Sequence, residues 1–174
     1  GSFGSCMVDE NRTSFYHDSV KAKAAYIIDK TGLIVARAIL FTDVTDQDGK
    51  KWRLLERQYS SEGDDVLKRL LVDKLIQEDY IDGYKVIGAS CHDANSFVDV
   101  CGNSLSDRKF EIDCELELED TLSYQDSFKW YSYNQNKAYN YENSGTSYNL
   151  DTTDLNLYGD DDEDDGEWDA YHQY

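Results

Sequence analysis

Proline is absent from the 174 residues, which removes the commonest marker of linkers and turns, so boundaries have to be read from composition. Long apolar runs are also missing. Nothing approaches the roughly 18 residues of a membrane-spanning helix, and the N-terminus has no charged segment followed by an apolar one, which argues against a membrane span and a secretion signal. Cysteine is sparse. Cys6, Cys91, Cys101 and Cys114 lack the density of a disulfide scaffold and the C-x-x-C spacing of a zinc site, as expected of free thiols in a reducing cytoplasm. Basic residues are outnumbered: 17 Lys and Arg face 36 Asp and Glu, a net charge of −19. A surface of that sign repels nucleic acid, anionic lipid and polyphosphate, so direct nucleic-acid binding and membrane association are disfavoured and the implied partner is basic.

The excess charge is unevenly placed. Residues 151–174 hold ten Asp or Glu and no Lys or Arg, so they carry −10 and the other 150 residues carry −9. The composition reads as one α+β domain over 1–150, with an irregular arm over 1–20, an aromatic hairpin over 124–150 and an acidic tail over 151–174. Alternating patterns and turn signals at 29–32 and 46–49 predict an antiparallel meander with strands at 25–29, 33–44, 51–59 and 109–118. One main helix is expected near 64–79, with Val66, Leu67, Leu70, Leu71, Leu75 and Ile76 as its packed face. A further strand is expected at 84–89, and Asp93 is expected to cap a short helix over 94–100.

Several side chains are candidates for chemistry. Cys6 would be a nucleophile if His17 or His92 came within hydrogen-bond reach; otherwise Cys6 and Met7 cap the core edge. Arg37, Arg57 and Tyr59 form either an anion site on the sheet or ordinary cross-strand partners. On the strand at 109–118, Phe110, Ile112, Cys114, Leu116 and Leu118 alternate with carboxylates, and Glu111, Asp113, Glu115 and Glu117 make a row that is either a solvated face or an imitation of a phosphate backbone. Tyr131 and Tyr133 offer a protein-binding surface or pack over the sheet edge. In the tail, Asp160, Asp161, Asp162, Glu163, Asp164 and Asp165 form a continuous acidic run. A partial calcium-loop register places Asp154, Asn156, Asp160, Asp162 and Asp165 at ligand positions, but Tyr158 stands where an oxygen ligand belongs.

Two resemblances add expectations. Strands followed by a Gly-containing turn, a helix and another strand resemble the central portion of GNAT acyltransferases, in which that turn cradles the pyrophosphate of acetyl-CoA. The turn here, Gln58-Tyr59-Ser60-Ser61-Glu62-Gly63-Asp64-Asp65, departs from that pattern with three carboxylates that would repel the cofactor, so a GNAT-like topology is expected without a cofactor. Four short blocks resemble a family of uncharacterised proteins of bacteriophages and prophages: Ser5-Cys6-Met7, Ala36-Arg37-Ala38-Ile39-Leu40, Glu56-Arg57-Gln58-Tyr59, and Tyr124-Gln125-Asp126-Ser127-Phe128-Lys129-Trp130. That resemblance implies a viral or mobile-element origin and residence in a host cytoplasm, and carries no catalytic residue. The expected function is an acidic interaction protein, such as an anti-defence inhibitor that occupies the basic nucleic-acid-binding surface of a host protein. The alternative is an enzyme, either cysteine-dependent through Cys6 or a degenerate acyltransferase.

Overall fold

A computed structural model describes residues 20–90, 92–115, 126–143 and 147–149. The first two strands, β1 (Ala22–Ile28) and β2 (Ile34–Thr45), form a hairpin. Its turn is specified locally: Asp29 Oδ1 accepts hydrogen bonds from the Thr31 and Leu33 N–H groups at 2.8 and 3.1 Å, and the N–H of Gly32, at φ +89°, returns to Asp29 O. Beyond β2 come β3 (Lys51–Leu55), β4 (Tyr59–Ser60), the helix α1 (Asp65–Gln77), β5 (Gly83–Lys85) and β6 (Phe97–Asp99). The remaining strands are β7 (Glu111–Asp113), β8 (Trp130–Ser132), β9 (Lys137–Tyr139) and β10 (Ser147–Asn149).

All of these strands belong to one curled sheet in the order β10-β8-β9-β7-β2-β3-β5-β6, with β1 and β4 also paired to β2. The described fold is α+β, with a sheet dominated by antiparallel pairs. The single parallel pair, β3 with β5, arises because α1 carries the chain back across the sheet between them, a connection that parallel neighbours require. Gly83 lets β5 fit between its two neighbours: a Cβ there would stand 2.8 Å from Val98 O on β6 and 3.0 Å from Leu54 Cδ2 on β3.

Strand β2 organises two cores because it switches faces midway. Ala36, Ala38 and Leu40 pack toward α1 with Leu55, Leu71, Val72, Ile81 and Tyr84. Phe41 and Val44 enter the other core with Trp52, Leu54, Phe97, Phe110, Ile112, Phe128 and Tyr131. Residues 41 and 44 differ by an odd number and would normally face opposite sides. The register shift between them inserts the extra residue that puts both on one side.

Several expectations need correction. The strand expected over 51–59 is interrupted at 56–58, where the Glu56 N–H still bonds Ile39 O but the Glu56 and Gln58 side chains are buried. Of the helix face, Leu71 is buried and Leu67, Leu75 and Ile76 pack half-buried on the same core, joined by Val72, but Val66 and Leu70 are 75% and 53% exposed, so the apolar stripe is narrower than expected. The strand expected at 84–89 is the shorter β5, since Val86 begins a turn closed by Ala89 N–H to Val86 O. Residues 97–99 are a strand, not a helix: Asp93 does bond the N–H of Asn95, yet pairing with β5 overrides the helical start. Within the strand expected at 109–118, β7 covers Glu111–Asp113 and Cys114 bridges Val20; residues 116–118 lie outside the described residues.

Candidate functional site

The interruption between β3 and β4 is the most chemically unusual place in the fold. Glu56, just past the end of β3, and Lys85, the last residue of β5, are both buried, and the residues before them, Leu55 and Tyr84, are directly paired. Lys85 Nζ donates to Ser127 Oγ at 2.7 Å and stands 3.6 Å from Glu56 Oε2 and 3.9 Å from Asp126 Oδ1. The Glu56 carboxylate is further satisfied by the N–H groups of Ser127 at 3.0 Å and Arg57 at 2.9 Å. Gln58 Nε2 donates to the carbonyls of Glu56 and Lys85, closing the same cluster from below. One cation, two carboxylates and a hydroxyl thus satisfy one another where water does not reach, as buried charge requires.

Beside this cluster the Tyr59 ring contacts two guanidinium groups. The Cζ atoms of Arg37 and Arg57 stand 4.8 and 5.0 Å from its ring centroid, within cation–π range. Cross-strand pairing of Arg37 with Tyr59 produces the first contact. The three residues suggested by the sequence as an anion site or cross-strand partners are therefore together. Three of the four sequence blocks also converge: Ala36–Leu40, Glu56–Tyr59 and the part of the last block from Asp126 onward meet through the β2–β4 pairing, the Glu56 N–H to Ile39 O bond and the Ser127 N–H to Glu56 bond. Ser5-Cys6-Met7 lies outside the described residues.

The 2.7 Å Lys85–Ser127 contact has the spacing of a nucleophile and base. Both side chains are fully shielded, however, and the lysine is engaged by two carboxylates, so the arrangement acts as a clamp that holds the 126–129 loop to the sheet. Lys129, on the same loop, donates to His92 O at 2.7 Å. Sequence reading did not single out Lys85. Its signal was a lone charge in the short apolar stretch Tyr84–Ile87.

The other candidates are distributed. Cys6 and His17 lie outside the described residues, as do Glu117, Asp160, Asp161, Asp162, Glu163, Asp164, Asp165, Asp154 and Asn156. His92 is an exposed turn residue. Glu111 and Asp113 flank Lys137 Nζ at 3.1 and 3.8 Å, whereas Glu115 is exposed. Tyr131 is buried in the aromatic core and Tyr133, packed edge-on against it, is exposed. Burial pushes the Cys114 thiol up to about 12, leaving it protonated and unreactive at neutral pH. At the start of α1, Asp64 Oδ1 accepts the Val66 N–H at 2.8 Å, so a carboxylate holds a donor that a phosphate would need. Among the described residues no group of three or more His, Cys, Asp or Glu is placed to hold a metal ion.

Two acidic side chains anchor the turns around the sheet. Asp82 accepts from the Arg53 guanidinium through both oxygens and from the Arg53 N–H, which holds its carboxyl below the ordinary value. Burial alone would raise the Asp46 carboxyl, but the Trp52 Nε1–H, the Asp48 and Lys50 N–H groups and Arg108 outweigh it, and the balance is downward. A carboxyl depressed on folding stabilises the native state above its unfolded pKa, and that contribution is lost as pH falls through the folded value. Urea midpoints of the wild type and of Asp82→Asn should therefore differ most above about pH 5 and converge as the pH falls well below the ordinary aspartate range. A gap that widens on acidification would contradict the assigned interaction.

Compared with known proteins, the chain matches no family model, no curated protein and no solved structure.

Proposed function

We propose that the chain is an acidic interaction protein that docks on a basic, nucleic-acid-binding surface of a host protein, in the manner of an anti-defence inhibitor. The supporting observation is where the charge resides. The described residues contain 20 Asp and Glu against 16 Lys and Arg, a net of −4, so −15 of the −19 belongs to the rest of the chain. Many described carboxylates are already neutralised locally: Asp43 by Lys21 and Lys51, Asp79 and Asp82 by Arg53, Asp48 by Arg108, and Glu111 and Asp113 by Lys137. Residues 116–125 and 151–174 together carry 13 carboxylates and no Lys or Arg. Net negative charge of that density attracts a basic groove at long range, which raises the association rate and makes it sensitive to salt.

The ion pairs alter the relative weight of the strand carboxylates. Neutralising Glu111 and Asp113 would release Lys137 as well as remove negative charge, so Glu115, Glu117 and the run Asp160–Asp165 are the cleaner test. The partner is captured from bacterial lysate at about 50 mM salt, and its binding is then measured against competing duplex DNA up to about 200 mM. Replacing Asp160–Asp165 by Asn and Gln should lower the association rate about tenfold at low salt and flatten the salt dependence. Glu115→Gln with Glu117→Gln should weaken competition with DNA. Unchanged rate, affinity and salt slope in both variants would overturn the reading.

A further inference from the structure

We infer that β1 is the contact edge of a symmetric dimer, in which the same strand of a second copy adds antiparallel to it and extends the sheet across both molecules. Among the described residues β1 pairs only with β2, along all seven residues from Ala22 to Ile28. The Thr42 N–H bonds to Lys21 O, so Lys21, Lys23, Ala25 and Ile27 direct their backbone groups toward β2. By the same alternation Ala22, Ala24, Tyr26 and Ile28 direct theirs to the open edge. Those residues also share one face of the strand, and Tyr26 and Ile28 are each 51% exposed there.

Open edges are commonly protected by charged side chains, lysine above all, by proline, by a bulge in the edge strand or by inward charge. β1 contains no proline, and its only charged residue, Lys23, lies on the opposite face from Tyr26 and Ile28. Its composition suits a second copy of itself. A two-fold axis perpendicular to the sheet at Ala25 overlaps all seven residues, with Tyr26 opposite Ala24 of the second copy and Ile28 opposite Ala22 of the second copy. Large side chains therefore meet small ones on the exposed face. Extending the register by one pair at each end sets Lys21 opposite Asp29 of the second copy, twice by symmetry. Lys21 is exposed and paired with Asp43 of its own copy, Asp29 is half-buried and holds the β1–β2 turn, and Lys23 faces Ile27 of the second copy, so no like charges oppose each other.

Overall repulsion works against association, because each copy carries −19. Raising salt screens that repulsion and should strengthen the dimer, the opposite of the response expected for docking on a basic partner. Sedimentation of the full chain should show mass rising from 20.0 kDa toward twice that value with protein concentration and salt. Tyr26→Lys should weaken association about tenfold or more by placing charge on the apolar contact. Ala24→Pro should do the same by removing an edge donor that β2 does not use, and both variants should keep the circular dichroism spectrum of the wild type. The register has its own readout. Ala25 would face Ala25 of the second copy in a non-hydrogen-bonded pair, so Ala25→Cys should oxidise to a dimer joined at that peptide, whereas Ile27→Cys should not. A wild-type chain that remains at 20.0 kDa throughout, or a dimer unaffected by both edge substitutions, would overturn the inference.

Discussion

Replacing Lys85 by Met should destabilise the protein by about 3–5 kcal/mol, because removing one member of a buried ion pair leaves the others uncompensated. Lys85 is the cation between Glu56 and Asp126, and its loss would also strip Ser127 Oγ of its donor. The strand would still pair through its backbone, so the damage should begin at the 126–129 loop, whose tie to the sheet runs through Ser127 and Glu56. Adding Glu56→Gln and Asp126→Asn to the Met variant should recover part of the loss, since neutral amides tolerate burial better than unpaired carboxylates. Urea unfolding of the wild type, the single variant and the triple variant checks both claims. A loss below about 1 kcal/mol for Lys85→Met would show that water reaches the cluster and that the charges are solvated.

Truncating Phe41 to Ala should cost about 3–5 kcal/mol, the range for aromatic residues removed from a packed core. Its ring meets Phe128 edge-on at a centroid distance of 5.0 Å, and neither side chain is exposed. Phe128 in turn packs with Phe97 and belongs to the loop that carries Asp126, Ser127 and Lys129. Phe41→Ala and Phe128→Ala should consequently be coupled by about 0.5–1.5 kcal/mol in a double-mutant cycle, the value of a direct ring pair. Additivity within about 0.3 kcal/mol would mean that the two rings act in separate units.

These two sites differ in how far the sequence announced them. Phe110, Ile112 and Cys114 alternate with carboxylates, and that pattern alone identified which side chains point inward, because successive residues of a strand face opposite sides. The Asp29 to Gly32 and Asp46 to Gly49 turns were equally legible, since Asx side chains and a glycine at positive φ act over two to four residues. The existence of α1 followed from its acidic first turn and apolar spacing, with Asp64 as the residue that caps it in the structure. Its packed face followed in part, since Leu67, Leu71, Leu75 and Ile76 pack against the core. Val66 and Leu70 match the helical period as well as Leu71 does, and only the angle at which the sheet meets the helix leaves the first two in solvent.

The candidate site was legible in pieces. Arg37, Arg57 and Tyr59 were named from alternation along two strands, and three of the four blocks were named from resemblance, but nothing local says that residue 56 faces residue 85 or that residue 127 closes over both. The amino-acid sequence by itself determined the turns, the existence of the main helix, the inward side of the most regular strand and the uneven placement of negative charge. These depend on neighbours a few residues apart or on composition. Tertiary structure alone decided the exposure of Val66 and Leu70 on α1, the bulge that sends Phe41 and Val44 into one core, the parallel β3–β5 pair and the burial of Lys85. Each depends on contacts between distant segments, where packing and the pairing of buried charge outweigh local preference.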